Sequence, residues 1–389
     1  MIDYSKVLSR KVVDMKPSGI RKFFDILSEM EGVISLTVGQ PDFLTPWHVR
    51  EAAISSLEKG RTFYTSNTGL VEFRKEISNY LERRFDVSYD PSNEVIVTIG
   101  GSEAIDLAIR AIVEPGDEVL IVEPAYVCYV PMTELCGGVP VVIPTRVEDK
   151  FKLTPELLKK YITPKTKMLI LPYPNNPTGA IMTKEDLQKI ADVIKDTNII
   201  VLSDEIYGEL TYGRRHFSFA ALPDMRDRTI YVGGFSKSYA MTGWRLGYVC
   251  APKEITKQML KIHQYAIMCA PTMSQYAGIQ ALKNGDEDIE YMKECYNQRR
   301  RMLLSGLNEI GLECFEPEGA FYVFPKIADY GLSSEQFCEK LLYEEKCAIV
   351  PGNAFGDSGE GFARISYAYS VEHLSHAIEK IDGFLRKLK

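Results

Sequence analysis

Short apolar runs alternate with amphipathic stretches along the middle of the chain, between residues 94 and 251. The apolar runs are Glu94–Ile99, Glu118–Val122, Val139–Ile143, Lys167–Leu171, Asn198–Leu202, Thr229–Val232 and Leu246–Cys250. Continuous apolar runs of this length are typical of strands that are buried on both faces. Strands that alternate with helices form parallel sheets covered on both sides. The sequence therefore predicts an α/β fold with a mostly parallel seven-stranded sheet and helices on both faces.

Two of the intervening stretches carry signals for the start of a helix. After the first strand, Ser102 is predicted to cap a helix, because apolar residues at helical spacing follow it. After the fourth strand, Thr183 with Asp186 resembles a capping box in which Asp replaces the usual Glu. Both stretches are therefore predicted to be helices of the large sheet.

The two ends of the chain differ from its middle. Residues 285–310 are charged with a helical pattern, and the short strands predicted beyond them are Ala320–Phe324, Ala348–Val350 and Phe362–Tyr367. The first 45 residues contribute little to the large sheet, so we expect them to pack on this C-terminal segment. The prediction is a large domain at 46–284 and a smaller, discontinuous α+β domain at 1–45 and 285–389.

Composition excludes several classes of protein. The 389 residues are 45% hydrophobic and can bury a large core, while 46 Lys and Arg against 53 Asp and Glu give a net charge of −7. That balance argues against nucleic-acid and membrane partners. No secretory signal and no apolar run long enough to span a membrane is recognised, and the eight cysteines form no C-x-x-C pair. We therefore expect a cytoplasmic protein without a metal site or disulfide framework.

Polar motifs follow several of the predicted strands, and open parallel sheets bind ligands at the carboxyl ends of their strands. Gly100-Gly101-Ser102-Glu103-Ala104 could hold a phosphate at a helix N-terminus, although a tight turn with a Ser cap is the simpler interpretation. Asn175-Asn176-Pro177-Thr178-Gly179 is a good turn sequence, and its Asn amide could also donate to a phenolate or carboxylate.

Two further motifs carry ionisable groups. In Ser203-Asp204-Glu205-Ile206-Tyr207, a carboxylate after four apolar residues is costly unless it is paired, and Asp204 could keep a pyridine nitrogen protonated. A helix-cap role for Asp204 is the alternative. In Ser236–Arg245, the amine of Lys237 could form a Schiff base and Arg245 could hold a phosphate, where the alternative is a solvated surface lysine. Together the four motifs indicate a phosphorylated pyridine aldehyde held at both ends.

With Gly39-Gln40-Pro41-Asp42-Phe43 and Gly319-Ala320-Phe321-Tyr322 added, the chain resembles a class I aminotransferase of fold type I that depends on pyridoxal 5′-phosphate. The resemblance runs from about Ser18 to the C-terminus. It is closest to bacterial N-acetyl-L,L-diaminopimelate aminotransferases, whose relatives also accept aromatic or dicarboxylic amino acids. The reaction it implies moves an amino group between an L-amino acid and a 2-oxo acid, with glutamate and 2-oxoglutarate as the expected common pair.

The resemblance implies a role for each candidate cofactor residue. Lys237 would form the Schiff base and serve as the catalytic base, and Asp204 would pair with the ring nitrogen. Asn176 and Tyr207 would contact the ring hydroxyl oxygen, and Tyr126 would stack on the ring. Lys237, Asp204 and Tyr207 would be the catalytic residues. The phosphate would be held by small or cationic residues, which are Gly101, Ser102, Ser236 and Arg245.

The resemblance also implies how the substrate binds and how the subunits assemble. Arg364 would bind the substrate α-carboxylate, assisted by Asn176 and the backbone at Gly39. Tyr64 would reach the phosphate of the neighbouring subunit, which implies a homodimer with shared active sites. Dicarboxylate-specific relatives often use a second arginine, and the stretch Met268-Cys269-Ala270-Pro271 contains none, which weakens a strict aspartate specificity. Ser18-Gly19-Ile20-Arg21-Lys22 could supply charge for a longer acidic substrate, or could be an ordinary helix start.

One departure and three alternative functions remain. Many relatives have Ser three residues before the lysine, where this chain has Gly234, so one phosphate contact is expected to be missing or replaced by Ser236 or Ser238. A carbon–sulfur β-lyase of the same fold would share the same residues. A cofactor-sensing transcription regulator would need a DNA-binding domain, and only residues 1–17 precede the resemblance. A nicotinamide dehydrogenase is set aside because no G-x-G-x-x-G follows a strand.

Overall fold

The structure is a computed structural model, and it describes residues 2–17, 19 and 30–388. In this part of the chain the strands are β1 (Ile34–Ser35), β2 (Val95–Thr98), β3 (Glu118–Glu123), β4 (Val139–Pro144), β5 (Thr166–Leu171), β6 (Ile200–Asp204), β7 (Thr229–Gly234), β8 (Gly247–Cys250), β9 (Tyr322–Val323), β10 (Cys347–Ala348), β11 (Val350–Pro351) and β12 (Ala363–Ser366).

The helices of the same ranges are α1 (Arg10–Val13), α2 (Trp47–Glu58), α3 (Val71–Phe85), α4 (Gly100–Ile112), α5 (Tyr129–Cys136), α6 (Pro155–Tyr161), α7 (Lys184–Ile194), α8 (Lys253–Ala266), α9 (Thr272–Asn284), α10 (Asp286–Glu309), α11 (Ser334–Glu345) and α12 (Val371–Leu388). None of the helices in the described ranges combines the length and apolar character that crossing a membrane requires.

Seven strands form the large sheet, in the order β2-β8-β7-β6-β5-β3-β4. Strand β8 is antiparallel to both of its neighbours, and every other pair is parallel. No predicted strand of this sheet ends more than two residues from the observed end. The predicted fold class, a mostly parallel seven-stranded α/β sheet, is therefore confirmed.

Both faces of this sheet are covered by helices. In β3, Val119 and Ile121 pack in a cluster with α4 and α8, whereas Leu120 and Val122 pack on the other side with α6 and α7. Successive side chains of a strand point to opposite faces, so a strand that is covered on both sides must be apolar throughout. This is why the strands appear in the sequence as continuous apolar runs.

The helix starts agree with the sequence in one case and not in the other. At α7 the capping box is present, because Asp186 N donates to Thr183 Oγ1 over 3.2 Å and Thr183 N donates to Asp186 Oδ2 over 3.0 Å. The predicted cap at Ser102 is wrong. Helix α4 begins earlier, at Gly100, and the carboxylate of Glu103 accepts the hydrogen bond from Ile99 N at its start. Ser102 therefore lies in the first helical turn, where its side chain interacts with that of Tyr126.

The C-terminal segment forms two small sheets. Strand β1 pairs with β10 in parallel, so the N-terminal segment packs on the C-terminal one, and β11-β12-β9 are antiparallel. The predicted single strand Ala348–Val350 is wrong, because the chain leaves one sheet and joins the other at Ile349. Helices α10, α11 and α12 pack around these strands in one buried cluster. The exact domain bounds stay a prediction.

A close approach between β8 and the start of α4 fixes the position of that helix. A Cβ atom at Gly247 would lie 2.6 Å from the Gly100 carbonyl carbon and 2.8 Å from the Gly101 nitrogen. Both neighbours are backbone atoms that cannot move aside separately. Only glycine at position 247 therefore allows the sheet and the first turn of α4 to meet.

We predict that Gly247→Ala destabilises the protein by about 3 kcal/mol, at the upper end of the range for overpacking, because β8 must separate from α4. The midpoint of urea unfolding measures this change. Gly243→Ala is the matched control, since a Cβ there meets no atom within 4 Å. Equal stability of the two variants would contradict the close approach.

Candidate active site

A cavity of about 270 Å³ lies at the carboxyl ends of the large sheet's strands, between that sheet and the C-terminal segment. Eleven of the twelve predicted site residues line it: Gly39, Gly101, Ser102, Tyr126, Asn176, Asp204, Tyr207, Ser236, Lys237, Arg245 and Arg364. These residues come from segments scattered over the whole sequence. The cavity is therefore the place where the separate motifs meet.

Lys237 follows β7, and its amine points into the cavity. Its Nζ donates a hydrogen bond to the Gly39 carbonyl over 2.7 Å. Burial, together with the positive charges of Arg364 and Arg245, lowers the pKa of Lys237 to about 8. With this pKa, about a tenth of the amine is uncharged at pH 7 and can act as a nucleophile or accept a proton.

Asp204 is the last residue of β6 and is buried at the opposite wall. Its Oδ2 accepts a hydrogen bond from the Tyr129 hydroxyl over 2.7 Å, and its Oδ1 accepts one from Ile206 N over 3.2 Å. Burial raises the pKa of Asp204, while both hydrogen bonds lower it. Neither donor carries a positive charge. The carboxylate is thus held in position and suited to a cationic partner inside the cavity.

The start of α4 and Arg245 form a positively charged end of the cavity. Arg245 has a left-handed backbone with φ of 51°, and one of its guanidinium nitrogens donates to the Thr242 carbonyl over 3.2 Å. A Cβ atom at Gly100 would lie 2.6 Å from Arg245 Nη2, so a glycine there lets the guanidinium approach the helix N-terminus. Among the described residues, Arg245 forms no salt bridge. The guanidinium and the helix N-terminus together favour a dianion such as a phosphate.

Where many relatives have a serine, this chain has Gly234, and a neighbouring side chain occupies the space beside it. A Cβ atom on Gly234 would lie 2.6 Å from Ile206 Cδ1 and 3.4 Å from Gly247 Cα. The side chain of Ile206 therefore occupies part of the volume that a serine would need. Of the two serines that could replace it, Ser236 lines the cavity and Ser238 is not among its described lining residues.

Arg364, in β12, forms a second positively charged part of the cavity. Its Nη1 donates to Asn176 Oδ1 over 2.9 Å, and its Nη2 donates to the Thr37 carbonyl over 2.6 Å. The guanidinium lies between two aromatic rings, 4.5 Å from the centroid of Tyr322 and 4.7 Å from that of Phe355. Its buried Nε has no partner among the described residues. A charged group held this rigidly, with donors to spare, suits a carboxylate.

Aromatic side chains form the walls between these two ends. The hydroxyl groups of Tyr207 and Tyr322 lie 2.8 Å apart, and both rings are buried. The ring of Tyr126 meets that of Tyr129 edge-on, with centroids 6.0 Å apart. The Asn175 amide fastens the neighbouring loop, since its Nδ2 donates to the Pro124 carbonyl over 3.1 Å. That loop presents Asn176 to the cavity.

Tyr64 is the predicted site residue that does not line this cavity. It lies in the loop between α2 and α3, and its side chain is 80% exposed, as is that of Phe63. Met268–Pro271 lies beside this loop, because Asn67 Nδ2 donates to the Met268 carbonyl over 2.8 Å. The charged segment 18–22 falls outside the described residues except for Gly19.

The sequence analysis gave no role to four residues that shape the site. Tyr129 follows Tyr126 closely, but it belongs to none of the motifs. Phe355 precedes Arg364 in the same part of the chain and Tyr322 ends the Gly319–Tyr322 motif, but neither position shows that the ring contacts Arg364. Thr37 contributes only its carbonyl oxygen, so its side chain carries no signal.

Comparison with known proteins agrees with this geometry. The model of the family described as "Aminotransferase class I and II" matches residues 31–381. The Bacillus subtilis protein YugH, named as an aminotransferase without a substrate, is 55% identical over 98% of each chain. The "Probable N-acetyl-LL-diaminopimelate aminotransferase" of the same organism is 44% identical over 98% of this chain and 96% of that one.

A solved structure shares the same architecture. The aromatic aminotransferase from Pyrococcus horikoshii matches with a TM-score of 0.90 and 46% identity, over 94% of this chain and 100% of that one. The family model covers most of the chain, and each relative covers nearly all of it. The chain therefore belongs to the class I and II aminotransferase family and is a transaminase.

Proposed function

We propose that the cavity binds pyridoxal 5′-phosphate, the cofactor that class I aminotransferases use, between Arg245 and Asp204. The observation that carries the proposal is the convergence of three different chemical groups on one cavity. The amine of Lys237, the buried carboxylate of Asp204 and the guanidinium of Arg245 all line it. An aldehyde, a ring nitrogen and a phosphate need these three partners respectively.

The remaining lining residues fit the same group. The phosphate would be held by Arg245, Gly101 N, Ser102 and Ser236. The ring oxygen would lie near Asn176 and Tyr207, and the ring face near Tyr126. When bound, the cofactor supplies a carbonyl that accepts the amino group and a ring that withdraws electrons from the substrate.

The residues of this chain contribute binding and proton transfer. Asp204 would hold a proton on the ring nitrogen, because its buried carboxylate lacks another cation nearby. Lys237 would remove the proton from the substrate Cα, since its pKa of about 8 leaves part of the amine uncharged at neutral pH. Arg364 would bind and orient the substrate α-carboxylate, with Asn176 and Gly39 beside it.

We also propose the substrates. Glutamate and 2-oxoglutarate would be one pair, and the names of relatives support N-acetyl-L,L-diaminopimelate, an aromatic amino acid or aspartate for the other. The residues favour the first two over aspartate, because Met268–Pro271 contains no arginine and the described lining has no cation beyond Lys237, Arg245 and Arg364. A panel of amino donors with 2-oxoglutarate tests this choice.

We propose a cytoplasmic homodimer in which Tyr64 of one protomer reaches the phosphate end of its partner. Two observations support the shared site. Phe63, the neighbour of Tyr64, is a large apolar side chain that is as exposed as the tyrosine. A second cavity, of about 500 Å³, adjoins the phosphate end and shares Arg245 with it. A two-fold axis would bring the same surface of both copies together.

We predict that Lys237→Ala abolishes transamination while the cofactor still binds without a covalent bond, because no other amine is among the described residues that line the cavity. The visible spectrum of the wild-type protein with cofactor should change on adding L-glutamate and return with 2-oxoglutarate. The variant should show neither change. Lys253→Ala, at an exposed lysine of α8, should behave as wild type.

Two outcomes would contradict the assignment. Appreciable transamination by Lys237→Ala would exclude the role of this amine. A wild-type spectrum that no donor changes, together with release of pyruvate from cystathionine, would replace transamination by carbon–sulfur β-elimination.

We predict that Tyr129→Phe lowers kcat about tenfold at neutral pH, which is the effect of losing one hydrogen bond to a charged group. The hydroxyl of Tyr129 lowers the pKa of Asp204, so its removal raises that pKa further. Asp204 must be ionised to act, and the acidic limb of the pH–activity profile should therefore move to higher pH. Tyr296→Phe is the control, because that buried hydroxyl has no hydrogen-bond partner among the described residues. Superimposable profiles for wild type and Tyr129→Phe would contradict the role.

We predict that Arg364→Lys raises KM for the amino acid about tenfold or more, because an ammonium cannot copy the fork-shaped contact with a carboxylate. Steady-state kinetics with varied amino donor measures this. Arg300→Lys is a matched control: Arg300 is also buried, with its guanidinium 5.2 Å from the ring of Tyr212, but it does not line the cavity. An unchanged KM in Arg364→Lys would exclude the carboxylate role.

A further inference from the structure

Gln275, in the first turn of α9, is fully buried and uses both ends of its amide. Its Oε1 accepts a hydrogen bond from Leu70 N over 2.7 Å. Its Nε2 donates to Thr65 Oγ1 over 3.1 Å and to the Ala270 carbonyl over 2.8 Å. One side chain therefore connects α9, the end of the Tyr64 loop and the segment before α9.

The residues on either side of Tyr64 are both fastened to α9. Thr272 Oγ1 donates to the Phe63 carbonyl over 2.8 Å, and Thr65 Oγ1 accepts from Gln275. The side chain of Tyr64 itself is 80% exposed. The loop is thus held immediately before and after the tyrosine, while the tyrosine points away from its own subunit.

Other contacts hold the same loop without using Gln275. Asn67 Nδ2 donates to the Met268 carbonyl, and the guanidinium of Arg61 lies 4.6 Å from the ring centroid of Tyr276 on α9. These contacts should keep the loop attached when Gln275 is changed. The amide of Gln275 is the part that determines the position of Thr65, next to Tyr64.

We propose that Gln275 is a positioning residue that presents Tyr64 to the active site of the partner subunit. The inference rests on the proposed function, in which Tyr64 reaches the partner's phosphate end. A loop without regular secondary structure loses conformational freedom when it must hold one side chain in place. A buried amide with three hydrogen bonds fixes that loop before the subunits meet, so that less ordering remains for the moment of binding.

Hybrid dimers separate this role from a general effect on stability. In the first hybrid, one chain carries Lys237→Ala with Gln275→Leu and the other is wild type. The single intact lysine then lies in the wild-type chain, whose site receives Tyr64 from the altered chain. In the second hybrid, one chain carries Lys237→Ala alone and the other carries Gln275→Leu alone. The intact site then receives Tyr64 from a normal loop.

We expect the first hybrid to need about tenfold more cofactor for half-maximal activity, and the second to remain within twofold of a hybrid that carries only Lys237→Ala. Gln275→Glu, which keeps the acceptor for Leu70 N, provides a milder variant if the leucine variant fails to fold. Gln280→Leu on the Lys237→Ala chain is the matched control, because Gln280 lies on the same helix and contacts His48 on α2 instead of the loop.

A second readout does not depend on activity. Hydrogen exchange of residues 59–70 should become faster in the Gln275→Leu dimer, while α9 beyond its first turn keeps its protection. Equal losses in the two hybrids, or unchanged exchange in the loop, would overturn the inference. Tyr64→Phe on the Lys237→Ala chain tests the shared site separately. If that hybrid needs no more cofactor than the hybrid that carries only Lys237→Ala, the shared-site proposal fails, and the role of Gln275 fails with it.

Discussion

A surplus of positive charge in the cavity is the constraint on which the site depends. Lys237, Arg245 and Arg364 line the cavity, and Asp204 is the one carboxylate among its described lining residues. The whole chain carries a net charge of −7, so this local surplus runs against the average. Buried like charges are costly, and part of the cost appears as the lowered pKa of Lys237. Two anions, a phosphate and a carboxylate, would relieve the repulsion, which explains why one amine and two anion-binding ends occur together.

Asp204 and Glu205, at the end of β6, point to opposite sides, and this alternation decides which of them belongs to the cavity. Asp204 faces it, whereas Glu205 points to the other side, where Glu205 Oε1 accepts hydrogen bonds from Ser203 and Ser218, each over 2.8 Å. The Nε2 of His216 lies 2.7 Å from Glu205 Oε2. Glu205 therefore has its partners within the fold, while Asp204 is held by neutral donors alone. Two adjacent carboxylates that look equivalent in the sequence thus have different chemistry, because a strand turns one of them towards the ligand.

The sequence predicted those parts of the molecule that depend on local pattern. The seven strands could be predicted because burial on both faces makes each of them a continuous apolar run. The capping box at Thr183 was predicted correctly because its two hydrogen bonds form between neighbouring residues. The cap at Ser102 was wrong because Glu103 already satisfies the start of α4. Tyr129 was missed because its role arises from a contact with Asp204, which is distant in sequence. Phe355 was missed because an irregular segment near Arg364 carries no pattern that shows which ring meets the guanidinium. The position of Tyr64 relative to a partner depends on a second copy of the chain, which no pattern within one chain can fix.

Lys237 and Arg364 donate hydrogen bonds to neutral carbonyl oxygens, and these acceptors leave their positive charges available to an anion. Lys237 donates to the Gly39 carbonyl, and Arg364 donates to the Thr37 carbonyl. Both carbonyls belong to the short segment that follows β1. A carboxylate in either place would form an ion pair inside a buried site, and breaking such a pair leaves an uncompensated charge. A neutral carbonyl satisfies one donor and leaves the positive charge free for the incoming anion. The segment 37–39 can therefore hold both side chains in position before the substrate binds without competing strongly with the substrate for them.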